Sequence, residues 1–218
     1  MNTNSSPKTR DPGPKTIVSA ILLAAGRSER MGAFKPLLPF GKTTVLQSCI
    51  NYLEAAGVED IVVVTGHRSE DLRNELVNSR VRVALNDDPT SEMGTSIVRG
   101  AELLSEHAGS LLVALVDHPA VPPDVVTALI NRWRTGARLV IPTWNGRGGH
   151  PVLIDLCYLS ELLRLDQGRG LKSLFDSHCT KVVRLPVDSP YVAQDMDTWD
   201  DYRVLHLTVF GYPPPELG

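Results

Sequence analysis

The chain has no excess of positive charge: 22 Lys and Arg stand against 25 Asp and Glu in 218 residues, for a formal charge of −3. A protein that holds nucleic acid by neutralising phosphates needs a basic surface, so that class is excluded. It also has no long hydrophobic run. The longest, at 21–25 and 111–116, fall far short of the roughly 20 residues of a transmembrane helix and read as buried strands. Cysteine is scarce and odd in number. Cys49, Cys157 and Cys179 are far apart, which excludes a disulfide framework and close-spaced zinc or iron-sulfur ligands and fits a reducing cytoplasm. No stretch is rich enough in Gly, Ser or Pro to be an internal linker, and no repeat is evident. The first residues carry Pro7, Pro12 and Pro14 without the apolar core of a secretory signal. Residues 1–15 are therefore expected to be a disordered leader. Pro213, Pro214 and Pro215 mark a non-helical tail, expected over 207–218.

What remains is an ordinary globular chain, 42% hydrophobic and 22% charged, enough to build a sizeable core. Residues 16–206 are expected to form one domain. Apolar runs at 16–23, 61–64, 81–85 and 111–116 read as strands. Between them lie helical patterns, the first capped by Thr43 or Thr44, with Val45, Leu46, Cys49, Ile50 and Leu53 on one face until Gly57. Short helices come next near 69–76 and 96–104. Val126, Leu129, Ile130 and Trp133 share a further helical face, 139–142 and 151–154 look extended, 182–185 is a late strand, and 199–204 a last helix. Fully apolar strands alternating with helices predict an α/β fold with a mostly parallel central sheet and helices on both faces. Ligands of such sheets bind beyond the carboxyl ends of the strands.

The segment after the first strand, Ala24-Ala25-Gly26-Arg27-Ser28-Glu29-Arg30-Met31-Gly32-Ala33-Phe34-Lys35, joins small residues to three cations at that edge. Small residues let backbone N–H groups approach phosphate oxygens, while Arg and Lys neutralise them. On composition alone, a plain turn with exposed cations explains it equally well. Two familiar phosphate motifs fail. Gly41-Lys42-Thr43 imitates the end of a P-loop, but that motif's first glycine falls on Pro36. The dinucleotide fingerprint places glycines where Ser28 and Met31 stand.

Asp117 directly succeeds the run 111–116 and should project from the same edge, which makes it the leading magnesium ligand. That ion takes one or two carboxylates beside substrate phosphates. The alternative is a helix cap, a role for which Asp124 is better placed. Asp195 and Asp197 are candidates for a second carboxylate, Asp195 being preferred because Asp197 or Thr198 can open the last helix. Ser96 reads as a helix cap, and Gly148-Gly149 as a β-turn ahead of His150. Gly66 and Asn86 come after the second and third strands at the ligand edge.

Leu-Ala-Ala-Gly-x-Ser-x-Arg-Met-Gly-x-x-Lys, here Leu23 to Lys35, resembles the signature of the MobA-like nucleotidyltransferases at every fixed position. Further segments extend the resemblance from about residue 18 to 202: Asn86 with Gly94-Thr95-Ser96-Ile97, Leu115-Val116-Asp117-His118-Pro119, Arg147-Gly148-Gly149-His150-Pro151, and Asp195-Met196-Asp197-Thr198. Within the group the chain looks most like molybdenum cofactor cytidylyltransferases. The resemblance implies a Rossmann-like nucleotidyltransferase domain that uses Mg2+, CTP and a molybdopterin-type phosphate acceptor, with transient transfer to a molybdenum hydroxylase or its chaperone. It implies that Lys35, Asp117 and Arg27 are catalytic, and that Asp117 and Asp195 hold the metal. Nucleotide contacts then fall to Leu23, Ala24, Ala25, Gly26, Arg27, Ser28, Arg30, Met31, Gly32, Lys35, Gly66, Asn86, Gly94 and Ser96. His118, Gly149 and His150 are implied on the acceptor side. Ala25 stands where relatives that use GTP tend to carry glycine, favouring CTP. His118 replaces a usual glutamine and Trp199 a common proline, which leaves the detail of acceptor recognition open. Other readings are transfer to a sugar, alditol or other cofactor phosphate, from CTP or GTP, and a non-catalytic carrier of the finished cofactor.

Overall fold

The computed structural model describes residues 16–26, 30–66, 68–77, 79–88, 90–165 and 168–216. The expected leader over 1–15 lies outside them, as do Arg27 and Ser28. Among the described residues seven strands carry the central sheet: β1 (Ile17–Ala24), β2 (Asp60–Thr65), β3 (Arg82–Leu85), β4 (Ala108–Leu115), β5 (Leu139–Trp144), β6 (Val152–Asp155) and β7 (Val182–Pro186). Their order across the sheet is β7-β5-β6-β4-β1-β2-β3, with the short strand Arg147–Gly148 paired to β5. β4, β1, β2 and β3 are mutually parallel, and β7 is parallel to β5. Only β6 among these seven runs against its neighbours. The sheet is mixed and mostly parallel, as the uniformly apolar strands predict.

Seven helices complete the described residues: α1 (Val45–Ala55), α2 (Ser69–Glu75), α3 (Met93–Ala101), α4 (Pro123–Arg134), α5 (Leu159–Leu162), α6 (Leu171–Ser177) and α7 (Trp199–Phe210). Alternation along β1 explains why both faces are covered. Ala20 and Leu22 point to the side where Leu46, Ile50, Leu129 and Tyr202 pack. Ile21 and Leu23 point to the other, against Ile97, Leu162 and Leu171. Each large aliphatic side chain fully buried this way contributes roughly 1.5–3 kcal/mol. Gly100 lets α3 lie close to the sheet, since a Cβ there would come within 2.9 Å of the Ile21 and Val64 side chains.

Three local expectations need correction. α3 begins at Met93 with Glu92 as its N-cap, so Ser96 does not cap it but is buried within its first turns. Asp124 is not the cap of α4 either. Pro122 holds that position, Pro123 starts the helix, and the Asp124 carboxylate accepts from Val125 N–H at 2.8 Å, where an acid in the first turn favours the helix dipole. α7 runs to Phe210, and residues 207–210 belong to the folded body rather than to a tail. The Phe210 ring packs edge-on against Phe40 at 4.9 Å, and Gly211, in the left-handed region at φ 77°, ends the helix. Other caps agree with expectation: Thr44 accepts from Gln47 N–H at 3.1 Å, and Thr198 forms a reciprocal capping box with Asp201.

Candidate active site

The parallel register aligns the strand ends. Leu23 of β1 lies beside Val64 of β2 and Leu115 of β4, and Thr65 lies beside Leu85 of β3. The residues just beyond these ends therefore meet at one edge: Ala25 and Gly26, Gly66, Asn86, and Asp117. They line a cleft of about 690 Å3, together with Arg30, Lys35, Ser91, Ser96 and Asp197. Gly66 is required by close approach, because a Cβ there would stand 2.9 Å from the Ala25 carbonyl oxygen.

The turn after β1 brings its cations to a carboxylate from the far end of the chain. Lys35 opens a 3₁₀ turn, Lys35–Leu37, and is only 7% exposed. Its Nζ donates to Asp197 Oδ1 at 2.7 Å, while Arg30 donates to Asp197 Oδ2 at 2.6 Å. Because Thr198 and Asp201 supply the cap of α7, Asp197 is left to face the cleft. A buried lysine needs such a partner, since an ammonium stripped of water is costly to leave alone. The outer pair with Arg30 is mostly solvated and contributes little to stability.

Asp117 lines the same cleft. Its Oδ1 is buried and has no hydrogen-bond partner, the nearest cation-forming group being His118 Nε2 at 3.8 Å. Burial pushes its pKa up; His118 and Lys35 pull the other way, and Asp197 and Asp195 add to the rise. Behind it lie Cys49 and Tyr52 of α1, both buried, with pKa values raised first by burial and further by the Asp117 charge. Asp117 lines the cleft, and a carboxylate there with an unpartnered oxygen is a site that a hard divalent cation fits. Among the described residues no group of three or more His, Cys, Asp or Glu converges on one point. The chain thus offers the one or two carboxylates that Mg2+ accepts beside waters and phosphates, rather than a full protein cage.

A second cluster adjoins Asp117. His118 Nδ1 lies 3.2 Å from the Tyr191 carbonyl, and His150 Nδ1 lies 3.3 Å from the Val113 carbonyl, with the two rings 5.8 Å apart. Backbone bonds fix the segment: Gly149 N–H donates to Pro142 and His150 N–H to Val192. Gly149 has no room for a side chain, a Cβ there falling 1.9 Å from the Val192 carbonyl oxygen. Burial lowers the His150 pKa to about 4, with the neighbouring His118 adding to the fall.

Most expected residues are thus brought together, but not all. Leu23, Ala25, Gly26, Arg30, Lys35, Gly66, Asn86, Ser96 and Asp117 line the cleft. Ala24 and Met31 are packed into the core, and Gly94 is buried at the start of α3. Gly32 shapes the turn, with φ 62°. His118, Gly149 and His150 form the adjoining cluster and do not line the cleft. Of the two late carboxylates Asp197 lines it, whereas Asp195 is exposed and does not. Sequence reasoning missed Asp88, Ser91 and the carbonyls of Tyr191 and Val192, none of which carries a motif of its own.

Small-residue turns at a parallel strand edge, facing a buried lysine and an unpartnered carboxylate, are what an α/β protein that handles nucleotides requires. The chain belongs to the MobA-like NTP transferase domain family, whose model matches residues 20–182. It is 26% identical over 190 residues to the molybdenum cofactor cytidylyltransferase of Escherichia coli (strain K12), covering 85% of this chain and 93% of that protein. It is also 30% identical over 146 residues to nicotine blue oxidoreductase of Paenarthrobacter nicotinovorans, covering 63% and 71% respectively. Among solved structures, Rv0371c from Mycobacterium tuberculosis H37Rv is similar with a TM-score of 0.79 and 29% identity, over 87% of this chain and 97% of that one. The manganese complex of Rv0371c has a TM-score of 0.75 and 27% identity over the same shares. No helix among the described residues is long and apolar enough to cross a membrane.

Proposed function

We propose that this protein transfers CMP from CTP to the terminal phosphate of a molybdopterin-type acceptor, releasing pyrophosphate and leaving a dinucleotide of cytosine and the cofactor. The observation that carries this reading is the single cleft holding Lys35, Asp117 and Asp197 at the ends of parallel strands. Similarity to a cytidylyltransferase over most of both chains supports the choice of nucleotide and acceptor.

In the reaction an acceptor phosphate oxygen attacks the α-phosphorus. A new P–O bond forms as the bond between the α-phosphorus and the α–β bridging oxygen breaks, and its electrons leave with pyrophosphate. The second pKa of a phosphate monoester is near ~6, so the nucleophile is already ionised at neutral pH and no side chain need take its proton. Catalysis then rests on alignment and charge neutralisation. Lys35, held in place by Asp197, supplies the positive charge at the α-phosphate, while Arg30 and Arg27 meet the outer phosphates. Asp117 and Asp197, the latter in the role expected of Asp195, would hold Mg2+, which neutralises triphosphate charge when bound. The manganese complex of Rv0371c is in keeping with a divalent ion. His118, Gly149 and His150, packed beside Asp117 rather than in the cleft lining, would shape the acceptor side of the site from behind it. The product would then pass to a molybdenum hydroxylase or its maturation chaperone.

The test is pyrophosphate release from each of the four ribonucleoside triphosphates, with and without molybdopterin, and with small phosphorylated sugars or alditols as alternative acceptors. Release that requires both CTP and molybdopterin supports the reading. A preference for a polyol phosphate, or for GTP, moves the activity elsewhere within the family. No release with any combination removes it. That outcome has a place here because a relative bears an oxidoreductase name.

A further inference from the structure

α4 leads into β5, and a 3₁₀ turn, Cys179–Lys181, leads into β7. The two strands start side by side, Leu139 beside Val182. At their start is a second cavity, of about 360 Å3, whose polar lining is Arg132, Thr135, Arg138 and Lys181. It shares no residue with the cleft. Both β5 and β4 run against β6, so β5 ends at the edge where Asp117 lies and begins at the other. Its six residues set the cavity about 20 Å from the ligand edge.

Three of the lining side chains are cations and none is an acid. In a chain of formal charge −3 other cations find acids: Arg30 and Lys35 share Asp197, Arg68 meets Asp71, and Arg82 meets Asp60. Among the described residues Arg132, Arg138 and Lys181 have no such ion pair. Both guanidiniums are nonetheless held in place. Arg132 Nη1 donates to Thr135 Oγ1 at 3.3 Å, and that hydroxyl donates to the Arg132 carbonyl at 2.9 Å. Arg138 Nη1 donates to Cys157 Sγ at 3.4 Å. Each guanidinium has spent one of its five N–H donors, and four remain. The groups that would repel an anion are already engaged. The carbonyls of Asn131, Arg132 and Trp133, at the negative end of α4, accept from the N–H groups of Thr135, Ala137 and Gly136. Asp155, whose charge acts on Arg138, accepts from Trp133 Nε1 at 2.8 Å and from Cys157 N–H at 2.9 Å. Complementing the helix dipole would account for Arg132 alone, because Arg138 and Lys181 lie outside α4.

We propose that this cavity is a second binding site, on the edge of the sheet away from the cleft, for a small phosphate-type anion held by Arg132, Arg138 and Lys181. A planar guanidinium can meet two phosphate oxygens at once, and the lysine ammonium adds a point charge. The volume falls in the range of small-molecule sites. The site does not depend on the nucleotidyltransferase reading and stands or falls without it.

Inorganic phosphate and pyrophosphate, titrated at constant ionic strength into the isotope-labelled full chain, test it through backbone amide shifts. The amides of Gly136, Ala137, Arg138 and Lys181 should move and saturate. Saturation by pyrophosphate alone supports a diphosphate ligand, and saturation by both anions supports a site for one phosphoryl group. Arg132→Gln and Lys181→Gln should each weaken the response by roughly three- to tenfold, the scale of one lost charge-assisted hydrogen bond. Arg134→Gln is the control, in the same last turn of α4 but outside the cavity lining, and should leave the response unchanged. The amides of Gly26 and Gly66 report on the cleft separately and should behave alike in all three variants. No saturable movement at the cavity amides of the unaltered protein overturns the proposal, whatever the cleft does and without needing any variant to fold. An equal loss in Arg134→Gln overturns it as well, since that is diffuse attraction to charge rather than a site.

Discussion

Lys35 and Asp197 are 162 positions apart in the chain, yet Lys35 Nζ lies 2.7 Å from Asp197 Oδ1. One residue ends the turn that leaves β1; the other immediately precedes the cap of α7. Their pairing joins the turn after β1 to the segment ahead of α7 within the cleft that Asp117 also lines.

Asp117→Asn separates catalysis from folding. The native carboxylate is buried with one oxygen unpartnered, and burial already opposes its charge. Removing that charge should leave the melting temperature unchanged or slightly raised. Pyrophosphate release should fall by about a hundredfold or more, the scale on which loss of one charge-stabilising group acts. Undiminished release from a folded variant would sink the metal-ligand role.

The two cations on Asp197 should behave differently. Arg30→Ala removes a solvated partner and should barely move the melting temperature, because exposed pairs contribute about 0–1 kcal/mol. Its effect should be a several-fold rise in KM for the triphosphate. Lys35→Met, at a nearly buried position, should act mainly on kcat. Steady-state kinetics over a range of CTP concentrations distinguishes them, and equal effects on KM and kcat in both variants would contradict the division of roles.

Gly149→Ala should destabilise the fold by about 1–3 kcal/mol or more, since its Cβ would meet the Val192 carbonyl in a segment held by backbone bonds on both sides. Gly26→Ala is the control: no atom lies within 4 Å of a Cβ there. Urea denaturation of the two variants should give clearly different midpoints, and equal midpoints would mean that the Gly149 segment can relax.

His150 supplies a pH dependence. Its folded pKa is about 4, lowered chiefly by burial, against an ordinary 6.5 when unfolded. The unfolded chain therefore binds the proton more readily, and stability is lost as pH falls from about 6.5 to about 4. The full cost is about 3–4 kcal/mol at most, from 1.36 kcal/mol per pKa unit. Denaturation midpoints measured through this range should decline less steeply in His150→Gln. Parallel declines would assign the acid sensitivity to other groups.

Much of the architecture was legible from residue pattern, since apolar runs too short for a membrane and bounded by small residues have few options besides buried strands. The paired capping residues Thr198 and Asp201 likewise act within one turn of helix, so their meaning is local. Ser96 is not the cap because other polar residues precede it where α3 begins, and Asp124 is not because Pro123 already starts α4. Gly100 set how closely α3 approaches β1 and β2, and the aromatic contacts of Phe210 carried α7 past its expected end.

The order of residues by itself determined the β1 turn with its small residues and cations, the strand-end position of Asp117 and the alternation that covers both sheet faces. These depend on spacings of a few positions and on which side chains avoid water. Only the tertiary structure decided that Asp197 rather than Asp195 faces the cleft and that Asp117 Oδ1 is left without a donor. Each of those depends on which distant backbone comes within hydrogen-bond reach, and that is set when the sheet aligns its strand ends and the helices close over them.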